Sequence, residues 1–195
     1  MVQKPIYEVI KRFFDIVNAL LALIVFGLPM LCISLIIKLT SKGPAMHWSS
    51  RIGYHNTIFK MAKYRTMRID TPQVATHLLS NPDVYITPVG KLLRKFSLDE
   101  LPQLINILRG DLSVVGPRPA LYNQDNLKSL RTEKNIHLLK PGLSGWAQVN
   151  GRDELPIPVK VGFDEEYLNK RSFLFDCRIV VLTLFKAIRG EGVTH

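Results

Sequence analysis

Residues 16–37 are an almost unbroken apolar run, interrupted only by Asn18, Gly27, Pro29 and Ser34. At about 1.5 Å per residue a helix of this length reaches across a hydrocarbon layer of about 30 Å. Both flanks are basic, with Lys4, Lys11 and Arg12 before the run and Lys38 and Lys42 after it. A simple crossing concentrates such charge on one side only. Gly27 and Pro29 fall near the middle, and a proline removes a backbone donor and bends a helix. A re-entrant helix–break–helix, dipping into one leaflet and returning, satisfies both features; a kinked single span is the alternative. The run is long and lacks a small-residue cleavage site, which reads against a signal peptide. In residues 1–15 Ile6, Ile10, Phe13 and Phe14 alternate with the basic residues at helical spacing, a pattern that lies in a membrane interface.

Beyond Gly43-Pro44 the pattern changes. Residues 45–54 and 57–67 read as two short strands around a His55-Asn56 turn. Residues 68–87 read as a loop around a short helix near residues 77–79. Residues 89–96 show a helical pattern, and residues 100–109 a second one, stopped by Gly110. Residues 121–135 read as a polar helix, and residues 159–169 carry the acidic run Asp164-Glu165-Glu166 before Tyr167. Residues 173–188 form a helix apolar on most sides, either buried or lying on the membrane. The fold class expected is α/β, mostly helical with a small β-hairpin or sheet. It is that of a monotopic membrane protein with interfacial amphipathic helices, divided into a membrane segment (1–42) and a body outside it (43–195).

Charge sharpens this division. The chain has 195 residues and a net charge of +10. Residues 1–69 carry ten Lys/Arg against only Glu8 and Asp15, so the excess sits beside the apolar run, where anionic headgroups attract it. Nucleic acid is the other common reason for an isoelectric point near 9.8. No helix-turn-helix, zinc or RNA-binding signature accompanies the charge, and no nucleic-acid partner is expected. Cys32 and Cys177 lie in apolar runs without metal spacing and read as inert residues of a reducing compartment.

Three segments carry chemistry. Ser97-Leu98-Asp99-Glu100-Leu101-Pro102-Gln103 places adjacent carboxylates at a helix start, after a basic segment with Lys91 and Arg94. Ser97-x-x-Glu100 matches a capping box, which alone accounts for Glu100. The functional reading makes one carboxylate a nucleophile and uses the other to hold a divalent cation against phosphate charge. Pro102 leaves open whether the helix begins at Ser97 or at Asp99. Gly116-Pro117-Arg118-Pro119 fixes an arginine between prolines, suited to bidentate phosphate contact; a surface turn is the plain alternative. Pro141-Gly142-Leu143-Ser144-Gly145-Trp146 reads as a weak phosphate or base loop with an aromatic platform. Lys60, Lys63, Arg65 and Arg68 are either a solvated strand face or a phosphate surface. None of the five histidines has ligand spacing.

These segments, with Lys11-Arg12-Phe13-Phe14-Asp15, Lys63-Tyr64-Arg65-Thr66-Met67, Gly110-Asp111-Leu112-Ser113-Val114-Val115 and the stretch through Gln148-Val149-Asn150-Gly151-Arg152, resemble the bacterial sugar transferase family. These are the monotopic polyprenyl-phosphate phosphoglycosyl transferases, and the resemblance covers nearly the whole chain, at the length of their minimal single-domain members. It implies a UDP-sugar donor, favouring an N-acetylated amino sugar, and an undecaprenyl phosphate acceptor at the cytoplasmic face of the cell inner membrane. UMP is released and an undecaprenyl-diphospho-sugar formed. By the same resemblance Asp99 is the nucleophile, Glu100 the Mg2+ ligand, and Arg118 and Arg94 phosphate contacts. Lys63, Asp164 and Gln103 join the substrate site. Two positions depart from the family pattern: Leu28 stands where a serine often precedes the proline, and Tyr64 where the motif has phenylalanine. A basic, non-enzymatic membrane adaptor is the competing reading.

Overall fold

The computed structural model describes residues 5–71, 82–151 and 155–189. The short helix expected near residues 77–79 and Arg152 lie outside the described residues. The chain begins with α1, Pro5–Thr40, which contains Pro29. Its most apolar stretch is almost wholly unburied by protein, and its length and composition are compatible with a membrane anchor. Leu20, Leu21, Ile24, Leu28, Leu31 and Leu35 are exposed. The helix continues through Pro29 instead of ending there. Just past it the Met30 carbonyl accepts from Ser34 Oγ at 2.9 Å and from the Tyr64 hydroxyl at 2.7 Å, which secures backbone next to the missing donor.

The rest packs along the other face of α1. Strands β1 (Met46–Ile52) and β2 (Ile58–Tyr64) form the expected antiparallel hairpin, with Met46 opposite Tyr64. Its turn holds His55 and Asn56 at φ 52° and 59°, a left-handed conformation these two residue types tolerate better than most. Helix α2 (Pro88–Lys95) starts with Pro88 in its first turn and Thr87 accepting from the Gly90 amide, the usual chemistry of a helix start. Helix α3 (Gln103–Arg109) ends at Gly110, φ 92°, as a left-handed C-terminal glycine ends a helix. Strand β3 (Ser113–Val115) pairs in parallel with β4 (Gly142–Ser144). Helices α4 (Asp125–Glu133), α5 (Trp146–Val149), α6 (Ile157–Lys170) and α7 (Phe173–Arg189) complete the body. The described residues are thus mostly helical, with two small two-stranded sheets.

The Lys11–Asp15 segment ties α1 to this body. Lys11 Nζ reaches Asp176 of α7 at 2.8 Å. Arg12 donates to the Ile107 and Leu108 carbonyls in the last turn of α3. Buried Asp15 accepts from the Ser113 hydroxyl and the Val114 amide at the start of β3. Ala19 then enters a core with Met61, Leu104, Ile107 and Leu112. Further along, Ile37 joins Ala45, Tyr64 and Leu93. Helix α7 resolves its two sequence readings by having both faces. Asp176 and Ile179 are buried, while Leu174, Val181, Leu184 and Phe185 are exposed.

The glycine-rich segment is a packing device and not a phosphate loop. A Cβ on Gly142 would lie 2.1 Å from the Gly116 nitrogen, and one on Gly145 would lie 2.1 Å from the Gly116 carbonyl oxygen. Glycine is required where two backbones approach this closely. Trp146 donates to Glu166 at 2.8 Å and packs on Phe175, so it presents no free platform.

Candidate active site

The carboxylates lie in a 3-10 turn, Leu98–Glu100, between α2 and α3. Neither expected helix start is correct. Ser97 sits at φ 55° with no capping hydrogen bond from its side chain, and α3 begins only after Pro102. The capping-box account of Glu100 is therefore overturned. Its side chain turns away from the Ser97 amide because two cations claim it: Lys63 Nζ at 2.7 Å and Arg118 Nη2 at 3.1 Å, both on Oε1. Lys63 also lies 3.9 Å from Asp99 Oδ2.

Local structure explains how these groups meet. Asn106 of α3, fully buried, accepts from the Ala62 amide and donates to the Lys60 carbonyl. That satisfies the free edge of β2 and lays the strand, with Lys63, against the turn that carries Asp99. Arg94 is placed by α2, which docks on the Thr66 backbone. A Cβ on Gly90 would lie 2.1 Å from the Thr66 carbonyl oxygen. Arg94 Nε donates to Thr66 Oγ1 at 2.9 Å, and the guanidinium makes no ion pair among the described residues. Lys91 and Lys95 are exposed on α2 and do not join the site. Of the other strand cations, Lys60 bonds Ser50, Arg65 bonds the end of α1, and Arg68 pairs with Asp70. Only Lys63 of that cluster meets the carboxylates.

The two carboxylates are shifted in opposite directions. Burial pushes the Asp99 pKa up, with the Lys63 charge opposing and Glu100 reinforcing the shift. Glu100 is partly buried, but Lys63 and Arg118 outweigh its desolvation and hold it well below the usual carboxylate range. Glu100 is thus a fixed anion, neutralised by two cations. Asp99 is the carboxylate with weaker compensation, and an anion there gains by reacting.

Asp164 lies one step away from the carboxylates. It is 1% exposed and accepts from Arg131 Nε and Nη2 at 2.9 and 2.6 Å. Arg131 Nη1 in turn donates to the Arg118 carbonyl at 2.8 Å. Asp164 therefore acts on the Pro117-Arg118-Pro119 turn through Arg131, a residue the sequence reading missed. Gln103, at the start of α3, is 2% exposed, and its Nε2 has no hydrogen-bond partner. A buried amide donor left open beside the carboxylate turn is rare and costly. His47 of β1 stands directly across the ladder from Lys63. Burial and the Lys63 and Arg51 charges lower its pKa, which favours the neutral imidazole. No sequence signal marks His47; only the strand register does.

A carboxylate pair set among cations, carried on a body packed along a long apolar helix, is an arrangement suited to an enzyme acting on anionic substrates. The chain belongs to the bacterial sugar transferase family, whose model matches residues 6–190. It is similar to a UDP-glucose:undecaprenyl-phosphate glucose-1-phosphate transferase of Escherichia coli (strain K12), at 40% identity over 193 residues. That match covers 95% of this chain but 41% of the relative. Similarity at 40% identity over 187 residues extends to the uncharacterized sugar transferase EpsL of Bacillus subtilis (strain 168), covering 95% of this chain and 90% of that one. A UDP-N-acetylgalactosamine-undecaprenyl-phosphate N-acetylgalactosaminephosphotransferase of Aeromonas hydrophila is 35% identical, covering 98% of this chain and 47% of the relative. The chain thus spans less than half of the E. coli and Aeromonas proteins and nearly all of EpsL.

Proposed function

We propose that this chain moves a sugar-1-phosphate from a UDP-sugar to undecaprenyl phosphate at the cytoplasmic face of the inner membrane. The observation that carries the reading is the unequal pair, Asp99 poised and Glu100 neutralised, within reach of Lys63, Arg94 and Arg118. An Asp99 oxygen attacks the sugar-linked phosphorus, the bond to the UMP oxygen breaks, and UMP leaves with its electron pair. The phosphosugar then rests on Asp99 as an acyl phosphate. A phosphate oxygen of the acceptor attacks the same phosphorus, regenerating the carboxylate and forming the diphosphate. Lys63, Arg94 and Arg118 hold the phosphate oxygens and offset charge as it spreads. The open Gln103 amide donates to one of them.

Mg2+ fits this donor set in one specific way. Both cations bond Glu100 Oε1, leaving Oε2 without a partner among the described residues. No group of three or more metal-type side chains occurs among them. Mg2+ commonly takes one or two carboxylates and completes its shell with water and substrate phosphate. Glu100, beside Asp99, is the residue that would hold it, and its chemistry there is to offset the negative charge of the diphosphate.

A re-entrant α1 fits the same reading. The N-terminal contacts at Lys11 and Asp15 and the C-terminal contacts at Ile37 and Ser41 fall on one body, which favours both flanks on one side of the bilayer. Thiol labelling of Gln3→Cys and Lys42→Cys from each side tests it, and labelling from opposite sides would refute the hairpin. For the donor, a UDP-linked N-acetylated amino sugar is our choice; UDP-glucose, named for the E. coli relative, is the alternative. A panel of UDP-sugars with undecaprenyl phosphate, followed by UMP release, tests the whole reading. Turnover is expected with one or a few donors, and Asp99→Asn abolishes it. No UMP from any donor would instead support a membrane adaptor.

A further inference from the structure

Three successive residues of the segment leaving β2 make three separate attachments. Lys63 holds Glu100 at 2.7 Å. Tyr64 donates its hydroxyl to the Met30 carbonyl at 2.7 Å. Arg65 holds the far end of α1, bonding Ser41 Oγ at 2.7 Å and the Ser41 and Lys42 carbonyls. Met30 directly follows Pro29, where α1 lacks a backbone donor and is easiest to bend. Gly27 has no neighbouring atom within 4 Å of a built Cβ, so nothing from the body braces that side. Tyr64 is 3% exposed, packed with Ile37, Ala45 and Leu93 and against Met30 and Ile33. Burial raises its pKa and keeps the phenol protonated.

We propose that Tyr64 is a positioning residue whose hydroxyl clamps α1 just past Pro29 to the strand carrying Lys63, fixing the depth at which a lipid-borne phosphate meets the carboxylates. The inference rests on the acceptor reading above. Adjacent residues on an extended strand lie about 3.8 Å apart, so a shift of the helix at Met30 is a shift of the backbone next to Lys63. The soluble donor approaches independently of this depth, whereas the acceptor is confined to the bilayer. Loss of the hydroxyl therefore weakens the acceptor step selectively.

The test uses the full chain in phospholipid nanodiscs. A nitroxide on Cys32, exposed on α1 two residues past Met30, with Cys177→Ser in every sample, reports the helix. Donor and acceptor KM are measured on the same preparations. Tyr64→Phe keeps the ring in the core. It is expected to narrow the nitroxide spectrum and raise the acceptor KM about three- to tenfold, the scale of one net hydrogen bond. The donor KM should hold. An unchanged spectrum overturns the clamp. A narrowed spectrum with unchanged acceptor KM, or with donor KM raised equally, overturns the positioning role. Absence of activity in the Tyr64 protein itself would count against the transferase reading, while the spectrum still decides the clamp.

Discussion

The sharpest energetic test is Asp164→Ala. Asp164 and Arg131 are 1% and 8% exposed, and one carboxylate oxygen takes two guanidinium donors. Truncation leaves a buried guanidinium without its counter-charge, which costs about 3–5 kcal/mol. At about 2–4 °C per kcal/mol for a chain of this size, the thermal midpoint should fall by roughly 6–20 °C. A second variant separates stability from positioning. Arg131→Met with Asp164→Leu removes both charges together, which for buried pairs is often neutral or stabilising. That variant still lacks the bond from Arg131 to the Arg118 carbonyl. Its melting in detergent should stay near that of the unmodified protein while the donor KM rises. An Asp164→Ala midpoint within about 2 °C of the unmodified protein would refute the energetics, since even 1 kcal/mol exceeds that shift. An unchanged donor KM in the double variant would break the proposed link to Arg118.

Other expectations follow from the carboxylate turn. Asp99 must be ionised to attack and burial raises its pKa, so the acid limb of kcat/KM should lie above the ordinary carboxylate value of about 4. Lys63→Met, which removes the opposing charge, should move the limb higher still; a pH–rate profile that does not shift argues against Asp99 as the titrating group. Glu100 has the opposite sign. Its depressed pKa gives stability that is present above its unfolded value of about 4.3 and lost as pH falls toward the folded one. Acid unfolding should therefore be less steep in Glu100→Gln, as followed by circular dichroism. Excess EDTA should stop UMP release and added Mg2+ restore it, and full activity in the chelator would remove the metal role from Glu100. Gly90→Ala drives a methyl into the Thr66 carbonyl and should displace Arg94, lowering the thermal midpoint and raising the donor KM together.

Much of this was legible from local pattern. The apolar run, the hairpin around His55-Asn56 and the stop at Gly110 depend on periodicity and on Gly, Pro and Asn chemistry that neighbouring residues decide. The turn at Asp99 was misread because two local signals conflicted, Ser97-x-x-Glu100 and Pro102, and a distant one decided. Lys63 and Arg118, at separations of 37 and 18 residues, take the Glu100 carboxylate out of reach of the Ser97 amide. The contacts that went unseen were equally remote: Arg131 on Asp164, Asn106 on the edge of β2, and Lys11 on Asp176. Pattern identifies residues that face inward, but not which of two inward-facing charges will meet.

The attachments of the first helix have a consequence for how the protein is made. Lys11 pairs with a residue 165 positions later, and Arg171 reaches back 163 positions to Glu8. Helix α1 acquires these partners only when the segment running into α7 has left the ribosome. Until then Lys11 of α1 lacks the counter-charge of Asp176. For the same reason α1 is not a detachable tether. Cutting it away to obtain a soluble body would strip the C-terminus of α3, the start of β3 and Asp176 of their partners in a single step.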